Sequence, residues 1–219
     1  MKETAEIKKI YREIQTEIFY MIPQKWEKIY LYASVVENMN YIETGEMFFY
    51  YLPKGILKKN YINVYEIPAK FNIDEEDYLE LAERLYETIK DLRAEFIKNR
   101  EKPWSNLTVC IDSTKFQIEY KYENLLNTEY SNNDRHVIWK YKYLGEPLEK
   151  FTRKEQKMIK EFVFNERFEN DDTYRYEENV YIGEIHNVIE YDKDTKDDVI
   201  DYEEVKLKKI INKYDITLI

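Results

Sequence analysis

From Asp74 to Asn99 the apolar residues Tyr78, Leu81, Ala82, Leu85, Ile89, Leu92 and Phe96 recur at helical spacing, and charge fills the other positions. This predicts one long amphipathic helix. Asp74 can cap its first free amides, Ile73 and Tyr78 have the spacing of a hydrophobic staple, and Pro103 bounds its far end. A second stripe, Ile7, Ile10, Tyr11, Ile14, Ile18 and Met21, predicts a covering helix from Thr4 to Ile22 that Pro23 stops.

Elsewhere the period falls to two. Trp26 to Val36 reads as a strand with Trp26, Lys28, Tyr30 and Tyr32 on one side and Ile29, Leu31 and Ala33 on the other. Glu46 to Leu52 (EMFFYYL) follows after a loop holding Asn38, Asn40 and Gly45, so the two strands read as a hairpin. Tyr61 to Ile67 predicts a third strand ending at Pro68. Leu107 to Ile111 and Phe116 to Tyr122 alternate about Asp112, Ser113, Thr114 and Lys115, which gives a second hairpin. Hairpins on both sides of a long helix argue for an α+β fold: an antiparallel sheet of about five or more strands covered by two long amphipathic helices.

The later chain is less regular. His136 to Leu144 (HVIWKYKYL) fits strand or helix, and Thr152 to Phe164 returns to helical spacing. Asn179 to Ile182 and Ile185 to Tyr191 are β-prone, and Val199 to Tyr214 can form a last helix with Val205, Ile210 and Ile211 on its sparse apolar side.

Charge divides the chain. Of a formal net charge of -10, nearly all arises between Glu166 and Glu204, where 15 acidic residues face 4 basic ones. The expected organisation is therefore a near-neutral body, residues 1–165, and an acidic C-terminal extension, residues 166–219. Phosphate contacts need lysine and arginine, so acidity disfavours nucleic acid and favours a basic protein partner; solubility explains it equally well.

Little in the chain points to catalysis. Cys110 is the single cysteine, which excludes an internal disulfide and a multi-cysteine zinc site, and its alternating apolar setting suits a small buried hydrophobe. His136 and His186 have no second histidine or cysteine at metal-ligand spacing, and the four glycines form no phosphate loop. The pairs Asp171–Asp172 and Asp197–Asp198 could meet Mg²⁺ or Ca²⁺ but lack the spacing of a calcium loop. No metal, cofactor or catalytic residue is expected. No apolar run is long enough for a membrane span, and Met1 to Lys9 lacks a signal-peptide core, so the expected location is the cytoplasm without membrane contact.

Aromatic content changes the picture more than charge alone. There are 22 tyrosines, 10 phenylalanines and 3 tryptophans. Such a surplus suits a recognition surface, because a rigid ring offers large contact area, but it equally suits tyrosines decorating exposed strands. Trp104 and Trp139 are candidate anchors, each readable also as the half-buried edge of a core.

Five stretches taken in order carry a resemblance. They are IYREIQTEIFYMIPQKWEKIYLYA (Ile10 to Ala33), GEMFFYY (Gly45 to Tyr51), YINVYEIPAKFNI (Tyr61 to Ile73), LYETIKDLRAEF with the later KPW (Leu85 to Phe96, Lys102 to Trp104), and WKYKYLG (Trp139 to Gly145). Over roughly the first 165 residues this order resembles the YezG-like family of bacterial immunity proteins, which includes the EsaG-type antitoxins. The resemblance implies a cytoplasmic, non-enzymatic protein that neutralises the C-terminal toxin domain, a nuclease, of a secreted polymorphic toxin of the type VII pathway. It supplies no residue-level binding motif, and the acidic extension departs from the family pattern.

A nuclease presents a basic cleft, so an acidic inhibitor can be steered to it. On that view Asp171, Asp172, Glu177, Glu178, Asp197 and Asp198 supply steering, and exposed Tyr50, Trp139 and Tyr141 supply apolar contacts. The alternatives are a secretion chaperone that binds without inhibiting and, further off, a metal-dependent enzyme built on the acidic cluster.

Overall fold

The computed structural model describes residues 3–37, 43–55, 60–166 and 173–180. In chain order the elements are α1 (Ala5–Met21), β1 (Trp26–Ser34), β2 (Val36–Glu37), β3 (Glu43–Thr44), β4 (Met47–Pro53), β5 (Ile62–Asn63), α2 (Ile67–Phe71), α3 (Glu75–Lys98), β6 (Asn106–Asp112), β7 (Lys115–Lys121), α4 (Asn132–Trp139), α5 (Arg153–Glu166) and β8 (Thr173–Asn179). Six strands form one sheet in the order β5-β4-β1-β6-β7-β8, and every neighbouring pair is antiparallel. The α+β architecture expected from the pattern is the one observed.

Both long helices begin where their caps place them. The Thr4 hydroxyl accepts from the Ile7 amide at 3.2 Å, and Asp74 Oδ1 accepts from the amides of Glu76 and Asp77 at 3.0 and 3.1 Å. Ile73 and Tyr78 are both buried, as a staple requires. The Tyr78 hydroxyl also donates to the Met21 carbonyl at 3.0 Å, which ties the first turns of α3 to the last turn of α1.

Strand alternation then sorts the sheet into two faces. Ile29, Leu31 and Ala33 of β1 lie on one face with Phe49, Tyr51, Leu107, Val109, Ile111, Phe116, Ile118 and Tyr120, and α1 and α3 cover them. Trp104 is fully buried in this core, and so is the Tyr120 hydroxyl that donates to Tyr11 Oη at 3.0 Å. Tyr30, Tyr32, Phe48 and Tyr50 point the other way, into a second core with Trp139 and Leu144. Beyond it α4 packs on α5 through Val137, Ile138, Phe151 and Ile159. The sheet is thus sandwiched between two helical layers.

The expected hairpins form. Between β6 and β7 the Asp112 carboxylate accepts from the amides of Thr114 and Lys115 at 2.8 and 2.9 Å, which closes the turn. At the end of the first hairpin, Gly45 comes so close to β1 that a Cβ there would lie 1.8 Å from the Ser34 carbonyl oxygen.

One local reading changes, one left open is decided, and one strand is added. Only Ile62–Asn63 of the expected strand Tyr61 to Ile67 pairs with β4. The Asn63 side chain accepts from the Tyr65 amide at 3.1 Å and turns the chain into a 3₁₀ turn, Val64–Glu66, and Pro68 then sits in the first turn of α2, where a missing N–H loses no bond. His136 to Leu144 resolves as helix, because Ser131 and Asp134 form a reciprocal capping box; Lys140–Leu144 continues as one π-helical stretch until Gly145, at φ 66°, ends it. Finally, Thr173–Asn179 forms an edge strand that the alternation Tyr174, Tyr176 against Arg175, Glu177 carries. The segments Ile185 to Tyr191 and Val199 to Tyr214 lie outside the described residues.

Candidate partner-binding surface

Helix α4 and the π-helical stretch after it stand over the second face of the sheet, held by polar contacts as well as rings. The Trp139 indole N–H donates to Thr108 Oγ1 of β6 at 3.1 Å. Tyr50 Oη and His136 Nε2 are 2.9 Å apart, and the His136 ring stacks on Phe48 with centroids 4.1 Å apart and 16° between planes. Burial takes the imidazole pKa down to about 4, helped by the Lys140 charge, and takes the Tyr50 hydroxyl up to about 12.

Tyr50 and Trp139 are therefore not the exposed rings that the sequence suggested: they are 9% and 4% exposed, sealed between layers. The physical reason is that the helix covering them comes from the very stretch whose secondary structure the pattern left open. Trp104, the other anchor candidate, is inside the opposite core. Tyr141 alone of the three ring candidates is half-exposed; it sits on the α5 side of the layer, edge-on to Phe151 at 6.5 Å and 71°.

Beside this layer opens a cleft of about 570 Å³ between the sheet, the loop 123–130 and α4–α5. Its floor carries Tyr32, Asn106 and Thr108, and its walls carry Lys121, Arg135, Lys142 and Glu166. These charges neutralise one another. Lys121 pairs with Glu166 at 3.3 Å and Glu123 at 3.6 Å, Lys142 pairs with Glu166, and Arg135 pairs with Glu46 at 3.1 Å. Burial alone would raise the Glu166 pKa, but Lys142 and Lys121 together hold it below the usual range. The most exposed large apolar side chains among the described residues, Leu126 at 69% and Phe164 at 60%, are chain neighbours of the lining residues Leu125 and Asn165.

Of the acidic candidates, the described residues include Glu177 and Glu178; Asp171, Asp172, Asp197 and Asp198 lie outside them. The two glutamates are adjacent on β8 and face opposite sides of the sheet. Glu177 accepts from Lys115 and Gln117 of β7, and the Lys115 ammonium holds its carboxyl below the usual range. Glu178 accepts from Gln15 of α1 at 3.0 Å and from the Tyr176 hydroxyl at 2.6 Å.

Burial pushes the Cys110 thiol pKa up, away from the thiolate that a nucleophile needs. Among the described residues no three His, Cys, Asp or Glu side chains converge as metal ligands, and no helix is long and apolar enough to cross a membrane. Sequence inspection missed Tyr32 and Arg135 as candidates; Ser131 and Asp134, at capping-box spacing just before Arg135, were the one local signal.

Comparison with known proteins agrees with the pattern noted in the sequence. A family model described as "Immunity protein YezG-like" matches residues 7–160. "Immunity protein YezG" of Bacillus spizizenii is 35% identical over 144 residues, covering 65% of this chain and 85% of that protein. The Bacillus subtilis protein of the same description is 33% identical over 137 residues, covering 62% and 86%. "Type VII secretion system protein EsaG" of Staphylococcus aureus is 31% identical over 143 residues, covering 64% and 82%.

Proposed function

The chain belongs to the YezG-like immunity protein family, and from that premise we propose that it is an antitoxin that binds and neutralises the C-terminal domain of a secreted bacterial toxin. The observation that carries this reading is the extent of the match, residues 7–160, which runs through α1, α3 and five of the six strands of the sheet and into α5.

The finer reading is that the toxin domain is a nuclease with a basic surface. Its support is the charge distribution: 15 acidic against 4 basic residues between Glu166 and Glu204 favour a basic partner and disfavour direct nucleic-acid binding. In this reading Asp171, Asp172, Asp197 and Asp198 supply most of the steering, because Glu177 and Glu178 already have partners within the fold. Tyr141 supplies a contact ring, and the buried Tyr50 and Trp139 act indirectly by holding the helical layer in place. The protein works in the cytoplasm and turns over no substrate.

The test is co-expression with the product of the neighbouring toxin gene, followed by purification of the complex and assay of DNA and RNA degradation. A stable complex with degradation suppressed supports the reading. A stable complex with undiminished degradation replaces it with a delivery chaperone.

A further inference from the structure

Resting on that reading, we propose that Glu119 of β7 is a positioning residue for toxin binding. Its carboxylate ties the stretch Lys140–Leu144, which carries the contact ring Tyr141, to Arg175 of β8. Through that strand, the chain beyond residue 160, where the family match stops, acts on the binding surface by geometry as well as by charge.

The two carboxylate oxygens serve two elements. Glu119 Oε1 accepts from the Tyr143 hydroxyl at 2.5 Å, and Oε2 accepts from Arg175 Nε at 2.9 Å. The Glu119 side chain is only 17% exposed, so both are charge-assisted bonds to a carboxylate largely out of water, where such bonds are strongest. Burial and the neighbouring Glu119 charge push the Tyr143 pKa well up, which keeps its hydroxyl a donor. Its ring centroid lies 5.7 Å from that of Trp139 and 6.2 Å from that of Tyr30, so Tyr143 is fastened at both ends.

Fastening matters because Lys140–Leu144 is π-helical. Such spacing is rare and persists where side-chain contacts favour it over the α spacing, in which each residue turns the helix by about 100°. Loss of the Tyr143 anchor therefore lets the stretch wind back, and Tyr141, two residues earlier, leaves its place edge-on to Phe151. Lys142, between them, is held separately by Glu166 at the end of α5.

Arg175 can serve as a fixed point because β8 is fastened independently on the other face of the sheet. The Tyr174 hydroxyl donates to Glu3 at 3.0 Å, Gln15 donates to Glu178 at 3.0 Å, and the Tyr176 ring centroid lies 4.6 Å from that of Tyr11. In the sequence Asp171 and Asp172 directly precede Thr173, so a partner drawn to those acids arrives at the strand whose Arg175 leads to Tyr143. The coupling is reciprocal: a toxin domain that engages Tyr141 also steadies β8.

The experiment measures binding of the full chain to the purified toxin domain by calorimetry, and amide hydrogen exchange of the free chain over residues 140–144. Tyr143→Phe should weaken toxin affinity about 3- to 10-fold, and Arg175→Gln, at the more exposed end of the link, about 3-fold. Both should speed exchange over 140–144 while α1 and α3 exchange as in the wild type. The double variant should lose no more than Tyr143→Phe alone, because both act through one carboxylate. Tyr141→Ala should cost about 10-fold in the wild type and less than about 3-fold on top of Tyr143→Phe. Glu119→Gln, whose single carbonyl oxygen replaces two acceptors, should fall between the wild type and Glu119→Ala. A merely structural role would lower the melting temperature and speed exchange throughout the sheet with affinity unchanged. That outcome, or losses that add in the double variant, overturns the role of Glu119 while leaving the immunity reading untouched. Failure of the wild-type chain to bind the toxin domain overturns the reading and the proposal together.

Discussion

Tyr50 on β4 and His136 on α4 meet at 2.9 Å across the boundary between the sheet and the helical layer above it. The contact joins a hydroxyl whose pKa is raised by burial to an imidazole whose pKa is lowered by it, so both groups are neutral over the working range of a cell. It makes this layer a place where acid acts.

The unfolded chain binds a proton at His136 near pH 6.5, whereas the folded chain resists it until about pH 4. Stability from this group is therefore full above pH 6.5 and is lost as pH falls toward 4. The full shift would overstate the effect because the ring is only half-buried, so the expected loss is roughly 1–2 kcal/mol. Chemical denaturation of wild type and His136→Gln at pH 7.5, 5.5 and 4.5 should show the gap between them narrowing as pH falls. Parallel curves would remove His136 from the acid response.

Glu17, on the α1 face toward α3, runs the opposite way. Burial lifts its carboxyl to about 7 against the help of Thr88 and Arg84, and one of its oxygens is buried without a partner. The folded state then holds the proton more tightly, so stability falls as pH rises from 4.5 through 7. Glu17→Gln should stabilise the protein by about 1 kcal/mol at pH 8 and leave it nearly unchanged at pH 4.5. Because the His136 and Glu17 windows overlap with opposite signs, the wild-type profile looks flatter than either variant's. A denaturation series on each single variant separates them.

Gly45→Ala tests the close passage at the end of the first hairpin. Its Cβ would meet the Ser34 carbonyl oxygen at 1.8 Å and the Tyr86 hydroxyl at 2.3 Å, and those two atoms are themselves hydrogen-bonded at 2.8 Å. Backbone must move and that bond must break. The expected cost is about 2–3 kcal/mol, read as a shift in denaturation midpoint; at the open site Gly55, where the strain is in φ alone at 83°, the same change should cost less.

Reversing Asp171, Asp172, Asp197 and Asp198 to lysine should slow association with the toxin domain by about 10-fold at low salt and flatten its dependence on ionic strength. Adding Glu177→Lys should change the rate little further but destabilise the edge of the sheet, since that carboxylate is paired with Lys115. Stopped-flow association at two salt concentrations distinguishes the outcomes. Unchanged rates in the fourfold variant would take the acidic extension out of binding.

The helix-covered core was legible because its signals are local. Thr4 and Asp74 mark helix starts within a turn of the stripes they serve, and Asp112 marks the turn of its hairpin. The second core was not. Tyr30, Tyr32 and Tyr50 occupy alternate strand positions that look alike whether a helix covers them or water does. What covers them is His136 to Leu144, nine residues whose apolar spacing is compatible with both regular structures. The capping box at Ser131 and Asp134 decides in favour of helix, and with it decides that Trp139 is inside. The cleft depends on Tyr32 from β1 meeting Arg135 from α4, a long-range pairing that no local period records.

The outer strand Thr173–Asn179 lies past residue 160, where the family match stops, yet it occupies the rim of the sheet beside β7. A bare rim is a ladder of open amides and carbonyls onto which any stray extended chain can zip, including another copy's. Here the outer ladder of β7 is taken by β8, and the rim passes to a strand whose alternate residues Arg175 and Glu177 are charged. Shortening the chain before Thr173 would do more than trim acidity: it would move the open margin from that charged strand onto β7 and invite another extended chain to pair there.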